Sequence, residues 1–440
     1  MNRPSGTPAS SVDSDAITAG PENHPRSRWG LLAERNFRLL WAGETVSKLG
    51  SSITTVALPL VAVVKLDADP FVVGLLTAAV WVPWTVIGLP VGVWVGRLPR
   101  RAVMLGSNLV SLAAFASVPL VDWLGVLTTT HLLLTGLITG TAAVFFSTAF
   151  QVYLPELVGQ EDLVEGNAKL QGGAAAAQVA GPGVAGLIAQ WFGAVLGMLA
   201  DAITFLASTI TLLMMRNRRE ASPQPARTRT SLRGDVVEGL RFIARDPYLR
   251  ALTAFGATAN FGLAGYQSIL VPFLIRDVGV QPGTVGGLAA TGALGGILGA
   301  VAATRVARRF GAARGALISQ LLAAPCGLLL PMTTDGAPLV LFVFGSVVLV
   351  TGATVCNVIF GSFRQKYTPP ELLSRVVATS MFVNYSTIPL GALLGGLLGS
   401  AIGLRPTMWI MTGLLVLAGA MVLASPLRRN RDLPGRQAAA

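Results

Sequence analysis

Two charged residues stand four apart in an otherwise apolar run, Glu44 and Lys48 in NFRLLWAGETVSKLGSSI. Four residues is just over one helical turn, so both side chains share a face, and Lys48 lies roughly 14 Å along the run at about 1.5 Å per residue. If the run crosses a membrane the pair sits near mid-bilayer, where an unpaired charge costs about 2.5 to 3.5 kcal/mol. Such groups pair with each other or face a wet cavity. The pair can therefore carry protons or contact a substrate, or it can be a salt bridge that fixes its helix. Asp201 is a second ionisable group inside an apolar run, with Thr204, Phe205 and Ser208 on its side of a helix. It has the same two readings, a substrate or proton contact or a cap between helices.

Other polar residues inside apolar runs fall in spaced sets. Gln171 and Gln178 are seven apart, as are Asn260 and Gln267, so each set lies on one helix face. Tyr266, Asn357, Asn384 and Tyr385 complete the candidates for a cavity lining. Singly each reads as a bridge between helices; as a set they line a centre. The stretch QVAGPGVAG, with Gly181, Pro182 and Gly186, allows close helix approach and a bend.

Hydrolytic chemistry finds no footing, because neither HExxH nor GxxxxGK[ST] occurs, and GGAAAA and GALGGILGA sit inside apolar runs. Cys326 and Cys356 read as packing residues, and with only His24 and His131 beside them no metal site assembles. No enzyme activity and no cofactor are expected.

The elements that position these residues are membrane spans. Mean hydropathy is +0.63. Only 12% of the 440 residues are charged, too few for a soluble surface. Apolar segments fall at 38–64, 71–96, 102–122, 129–152, 166–190, 193–215, 248–275, 284–304, 313–333, 337–361, 373–400 and 404–425, each long enough for a helix through a hydrocarbon core. The all-α architecture expected is a polytopic bundle of twelve helices. The formal charge of +12 lies in short clusters between runs, which excludes a nucleic-acid patch and favours topology. With the N-terminus placed inside, only Lys48, Lys65, Arg276 and Arg405 of the 33 Lys and Arg fall off the cytoplasmic segments. Both termini are therefore expected in the cytoplasm of a plasma-membrane protein.

The organisation expected is a disordered tail over 1–36, a six-helix bundle over 37–215, a linker over 216–247, a second bundle over 248–427 and a tail over 428–440. Residues Met1 to Ser27 lack the apolar core of a signal peptide. In the linker Leu232, Val236, Leu240 and Ile243 recur at helical spacing among Arg233, Arg241 and Arg245, the pattern of a basic amphipathic helix at a membrane surface.

A shift of roughly 210 residues brings the chain into register with itself. Leu58-Pro59-Leu60 meets Val271-Pro272-Phe273, Gly74-Leu75 meets Gly287-Leu288, and Arg97-Leu98-Pro99-Arg100-Arg101 meets Arg305-Val306-Ala307-Arg308-Arg309. Leu154-Pro155-Glu156-Leu157 then meets Pro369-Pro370-Glu371-Leu372, and Pro182 meets Pro389. Two six-helix halves in the same orientation follow, able to rock about a shared centre.

On these features the chain resembles the major facilitator superfamily from about Asn36 to Arg428. GVWVGRLPRRAVM, Gly92 to Met104, is similar to that superfamily's signature between helices 2 and 3, and Arg97, Arg100 and Arg101 match its basic gating cluster. Gly96 stands where the signature usually carries Asp, so the usual charge latch cannot form as the family describes it. QVAGPGVAG is similar to the Gly-Pro element of the superfamily's antiporters, and the family also places an Asp where Asp201 lies. NFRLLWAGETVSKLGSSI, DAITF and EGLRFIARDPYLRAL are similar to the drug and siderophore exporters related to the enterobactin exporter and macrolide-efflux proteins. The resemblance implies proton-coupled efflux of a small hydrophobic compound by a chain acting as a monomer in the bilayer. The alternatives are an uptake permease for a sugar or nucleoside, and a non-transporting scaffold.

Overall fold

A computed structural model describes residues 30–159, 161–216, 232–429 and 431–432. The tail before Gly30, the linker over 217–231 and the residues from 433 onward lie outside the described residues, and with them most of the two tail assignments and His24. Among the described residues the chain is all-α. The helices are α1 (Arg35–Leu60), α2 (Pro70–Val86), α3 (Gly88–Val95), α4 (Arg100–Trp123), α5 (Thr129–Val158), α6 (Leu163–Phe192) and α7 (Ala194–Met214), then α8 (Leu232–Arg245), α9 (Pro247–Pro272), α10 (Pro282–Phe310), α11 (Ala312–Cys326), α12 (Leu339–Tyr367), α13 (Pro370–Ile402) and α14 (Leu404–Ala424). Eleven of these are long and apolar enough to cross a membrane. The twelfth span, expected as one helix over 71–96, is instead two pieces, α2 and α3. Pro90 explains the break: it brings no N–H to the carbonyl four residues back, and that residue, Val86, is the last of α2.

The internal repeat is physical. In the first half α1 packs on α6 and α7, α4 on α5 and α7, and α2 on α5. The second half repeats the pattern, with α9 on α13 and α14, α11 on α12 and α14, and α10 on α12. Both α1 and α9 run into a π-helical turn at the matched prolines, Val61–Lys65 after Pro59 and Phe273–Val278 after Pro272.

The halves meet along two seams that the repeat also exchanges, α2 against α13 and α6 against α10. Both seams are glycine on glycine. A Cβ on Gly74 would stand 2.9 Å from Cα of Gly396, and one on Gly286 would stand 2.6 Å from Cα of Gly186, distances real side chains do not adopt. These contacts lie at the end of the bundle away from the chain termini. Polar contacts reinforce the same end: Arg276 pairs with Asp67 at 2.7 Å and donates to the Ala68 carbonyl at 3.0 Å. Asp69 caps α2 through Phe71 N–H at 2.8 Å and also accepts from Ser400, and Gln190 meets Gln281 at 3.5 Å.

Helix α8 docks on the second half through Gly239 and Ile243, with Glu238 paired to Arg375 at 2.7 Å. Val237 and Leu240 on its other side are exposed. At the junction that follows, Asp246 caps α9 through Tyr248 and Leu249 N–H and accepts from the Tyr367 hydroxyl at 2.7 Å. Burial and the neighbouring Asp246 carboxylate push that hydroxyl well above the usual tyrosine range, so it stays protonated and keeps donating.

The Gly286→Val protein is expected to lose the far-end closure. A Gln190→Cys/Gln281→Cys pair should cross-link readily in the parent background and at least tenfold more slowly when combined with Gly286→Val, read as disulfide formation by gel mobility.

Candidate functional site

Helix α1 carries three functions on three faces. Gly43, Gly50 and Ala57 seat against α7, where they meet Ser208, Thr204 with Asp201, and Gly197 in turn. Thr45 and Ser52 seat against Gly173 and Gly181 of α6. Between these faces, at about 100° per residue, runs the stripe Lys48, Ser51 and Thr55, all exposed. Glu44 lies one turn before Lys48 on the same stripe and pairs with it at 3.4 Å, its side chain only 10% exposed against 52% for the lysine. The pair thus hides its carboxylate and presents its ammonium to the space between the halves.

Three more helices add polar groups to that space. On α6, Gln171 and Gln178 are exposed between the face seated on α1 and the face carrying Pro182 and Gly186 toward α10, opposite the exposed apolar Leu187 and Trp191. The Gly-Pro element therefore serves both contacts, Gly181 within its half and Gly186 across the seam. On α9, Asn260 is half-buried and Gln267 exposed, on the side away from Gly262 and Gly265, which pack on α13 and α14. Asn357 of α12 is exposed as well.

The α2–α13 seam supplies an aromatic cluster. Trp81 and Trp84 of α2 stand 6.3 Å apart between ring centres, and Tyr385 of α13 lies 5.8 Å and 6.0 Å from them. Beside it Thr85 Oγ1, Asn384 Oδ1 and Ser386 Oγ are buried without a hydrogen-bond partner among the described residues. Sequence reading named Asn384 and Tyr385 but passed over the two tryptophans. The signal was available: tryptophan favours membrane interfaces, and these two lie 11 and 14 residues into their span.

Two candidates do not join this lining. Asp201 is wholly buried in the α1–α7 seam, accepting from the Thr54 hydroxyl and from the Thr204 hydroxyl at 3.0 Å. Ser208, further along its stripe, accepts from Asn108 of α4 at 2.9 Å, and Phe205 stacks on Phe115. The Asp201 carboxyl is thus a tie between helices, and Gly50 is glycine because Asp201 and Thr204 occupy the volume a Cβ would need. Tyr266 is also buried, one residue from the exposed Gln267.

The first turn of α4 ties the first half together with no aspartate at position 96. Arg101 donates to the carbonyls of Leu212 (2.6 Å), Leu213 (3.1 Å) and Met215 (3.0 Å), which caps the exposed C-terminal end of α7. Arg100 is buried and pairs with Glu156 at 3.3 Å, on the last turns of α5. Arg97 and Gly96 are exposed, and a Cβ on Gly92 would meet nothing within 4 Å.

Two repeated half-bundles closed at one end around a polar, partly aromatic centre define a secondary transporter. The chain matches the family described as transmembrane secretion effector over residues 26–436 and belongs to it, within the major facilitator superfamily. Among curated relatives it is 26% identical over 392 residues to the multidrug efflux pump Tap of Mycolicibacterium fortuitum, covering 88% of this chain and 95% of that protein. It is 26% identical over 421 residues to the enterobactin exporter EntS of Shigella boydii, covering 90% and 94%. Among solved structures, a bacterial homologue of the iron transporter ferroportin in its inward-facing state superposes with a TM-score of 0.72 at 16% identity, over 89% of this chain and 98% of that one.

Substitutions at two positions separate positioning from transport. Arg101→Ala should lower stability by about 1.5 to 3 kcal/mol, because several charge-assisted bonds to α7 vanish together, seen as a drop in the melting temperature of the purified protein. Asp201→Asn keeps an acceptor for one hydroxyl and offers an N–H that the other hydroxyl's oxygen can accept, and should retain most transport and stability. Asp201→Leu leaves the Thr54 hydroxyl without its acceptor, while Thr204 keeps the backbone carbonyl of residue 201 at 2.8 Å, and should cost about 1 to 3 kcal/mol.

Proposed function

We propose that this protein exports small, largely apolar organic compounds across the plasma membrane by proton-coupled alternating access, as a monomer with both termini in the cytoplasm. The observation that carries the reading is the Glu44–Lys48 pair, a buried carboxylate held to an exposed ammonium on the wall between two rocking halves. A proton on Glu44 or an acceptor group on a substrate weakens that pair, which makes occupancy and protonation compete at one place. The distribution of Lys and Arg supports the orientation, since the cationic segments lie at the termini end of the bundle. In that orientation the glycine seams and the Arg276–Asp67 pair close the outer side, and the centre is reached from the cytoplasm. Export of drugs by Tap and of enterobactin by EntS, as their names state, supports the direction. Energetics permit it: one charge moving through 100 mV releases about 2.3 kcal/mol, a gradient of roughly fifty-fold per proton.

The test is transport in everted vesicles with an imposed proton gradient. The parent should accumulate one or more compounds of a drug panel against their gradient. Glu44→Gln should abolish gradient-driven accumulation while downhill movement of the same compound persists. Full coupled accumulation in both the Glu44→Gln and Lys48→Met proteins would remove the pair from the mechanism, and a parent protein that accumulates nothing would sink export itself.

A further inference from the structure

Charge is unevenly presented between the halves. The carboxylates deep in the spans are covered, Glu44 beneath Lys48 and Asp201 inside the α1–α7 seam, whereas the Lys48 side chain is 52% exposed. A second cation stands on the other half. Arg364 follows Asn357 by seven residues on α12, hence shares its face, and lies one turn from the termini end of that helix. The face falls between Phe360, which meets Phe255 of α9 edge-on at 5.5 Å, and Thr351, which donates to the Gly295 carbonyl of α10 at 3.1 Å. The apolar span expected over 337–361 left Arg364 in a loop; α12 continues to Tyr367 and puts it on the wall instead.

Among the described residues the Arg364 guanidinium has no hydrogen-bond, ion-pair or ring partner, although it is partly buried. A guanidinium without a protein partner can take a ligand, and its fork geometry suits a carboxylate or phosphate. Lys48 lies deeper on the facing half, and the Trp81, Trp84 and Tyr385 cluster offers ring faces beside the same space. Arg364 at the mouth and Lys48 farther in form a lane of one sign, which draws anions inward and repels cations.

We infer that the space between the halves is selective for amphiphilic organic anions, with an aromatic or other flat apolar body against the tryptophans and an acidic group that passes Arg364 and displaces Glu44 from Lys48. The inference rests on the export reading for its direction of transport only; charge selectivity is a property of binding.

The experiment measures binding to the full-length protein in nanodiscs of zwitterionic lipid by equilibrium dialysis. The probes share one ring system and differ in charge: 2-naphthoate, 2-naphthamide and 2-naphthylmethylammonium. Naphthoate should bind at least tenfold more tightly than the amide, with the ammonium weakest. Arg364→Gln should shrink the naphthoate advantage severalfold. Lys48→Arg should keep the order, and Lys48→Met should reverse it because Glu44 is left uncovered, an outcome that a purely structural lysine would not give. Equal binding of the three probes, a preference for the ammonium, or no binding of any overturns the inference. If phosphatidylglycerol added to the discs abolishes the contribution of Arg364, its partner is a lipid headgroup and the lane is overturned. Loss of the charge order with gradient-driven drug export intact sinks this inference alone, whereas an intact order with no export in vesicles sinks the export reading alone.

Discussion

Backbone touching backbone across the two seams is the constraint on which the rest of the structure depends. Without Gly74 on Gly396 and Gly186 on Gly286 the halves could not approach at the far end. In a bilayer no hydrophobic drive pulls apolar helices together, so the association relies on close packing and on a few polar contacts. Small residues give both closeness and reversibility, because a glycine seam has no interdigitated side chains to disengage when the halves rock. The polar groups at the same end, Arg276 with Asp67 and Asp69 with Ser400, sit at its aqueous edge, where exposed ion pairs contribute little each and exchange readily with water.

The same logic explains where charge is tolerated. Asp201 survives in a dry seam because two hydroxyls donate to it, and it holds α7 to α1 at a point where Gly50 makes room. Arg101 converts the unsatisfied carbonyls at the end of α7 into a clamp on the first turn of α4. Glu44 and Lys48 differ from both. They are bonded to each other, and the lysine also faces open space, so their bond can be exchanged while the tie at Asp201 has nothing to exchange with.

The repeat gives this arrangement its economy. Each half builds the same helix neighbours, and matched elements then meet unmatched ones across the seams, α2 with α13 and α10 with α6. Yet the halves are not equivalent in chemistry. The glutamate–lysine pair and the tryptophans belong to the first half, and Asn260, Gln267, Asn357 and Arg364 to the second. A centre assembled from dissimilar walls has direction built into it, which a symmetric cavity would lack.

Much was legible in one dimension. Runs of about twenty apolar residues fix the membrane class because a hydrocarbon core admits little else, and prolines and arginines recurring in the same order at a shift of roughly 210 residues reveal two halves. Spacing of seven placed Gln171 with Gln178 and Asn260 with Gln267 on shared faces, and the structure keeps both sets together. What spacing cannot give is the direction in which a face points. Asp201 and Glu44 are both carboxylates in apolar runs, yet one is sealed between helices and the other opens through Lys48, a difference set by which neighbour each helix turns toward. The meeting of Trp81 and Trp84 with Tyr385, some 300 residues away, was likewise settled only when the helices packed, because that contact joins segments that local sequence does not relate.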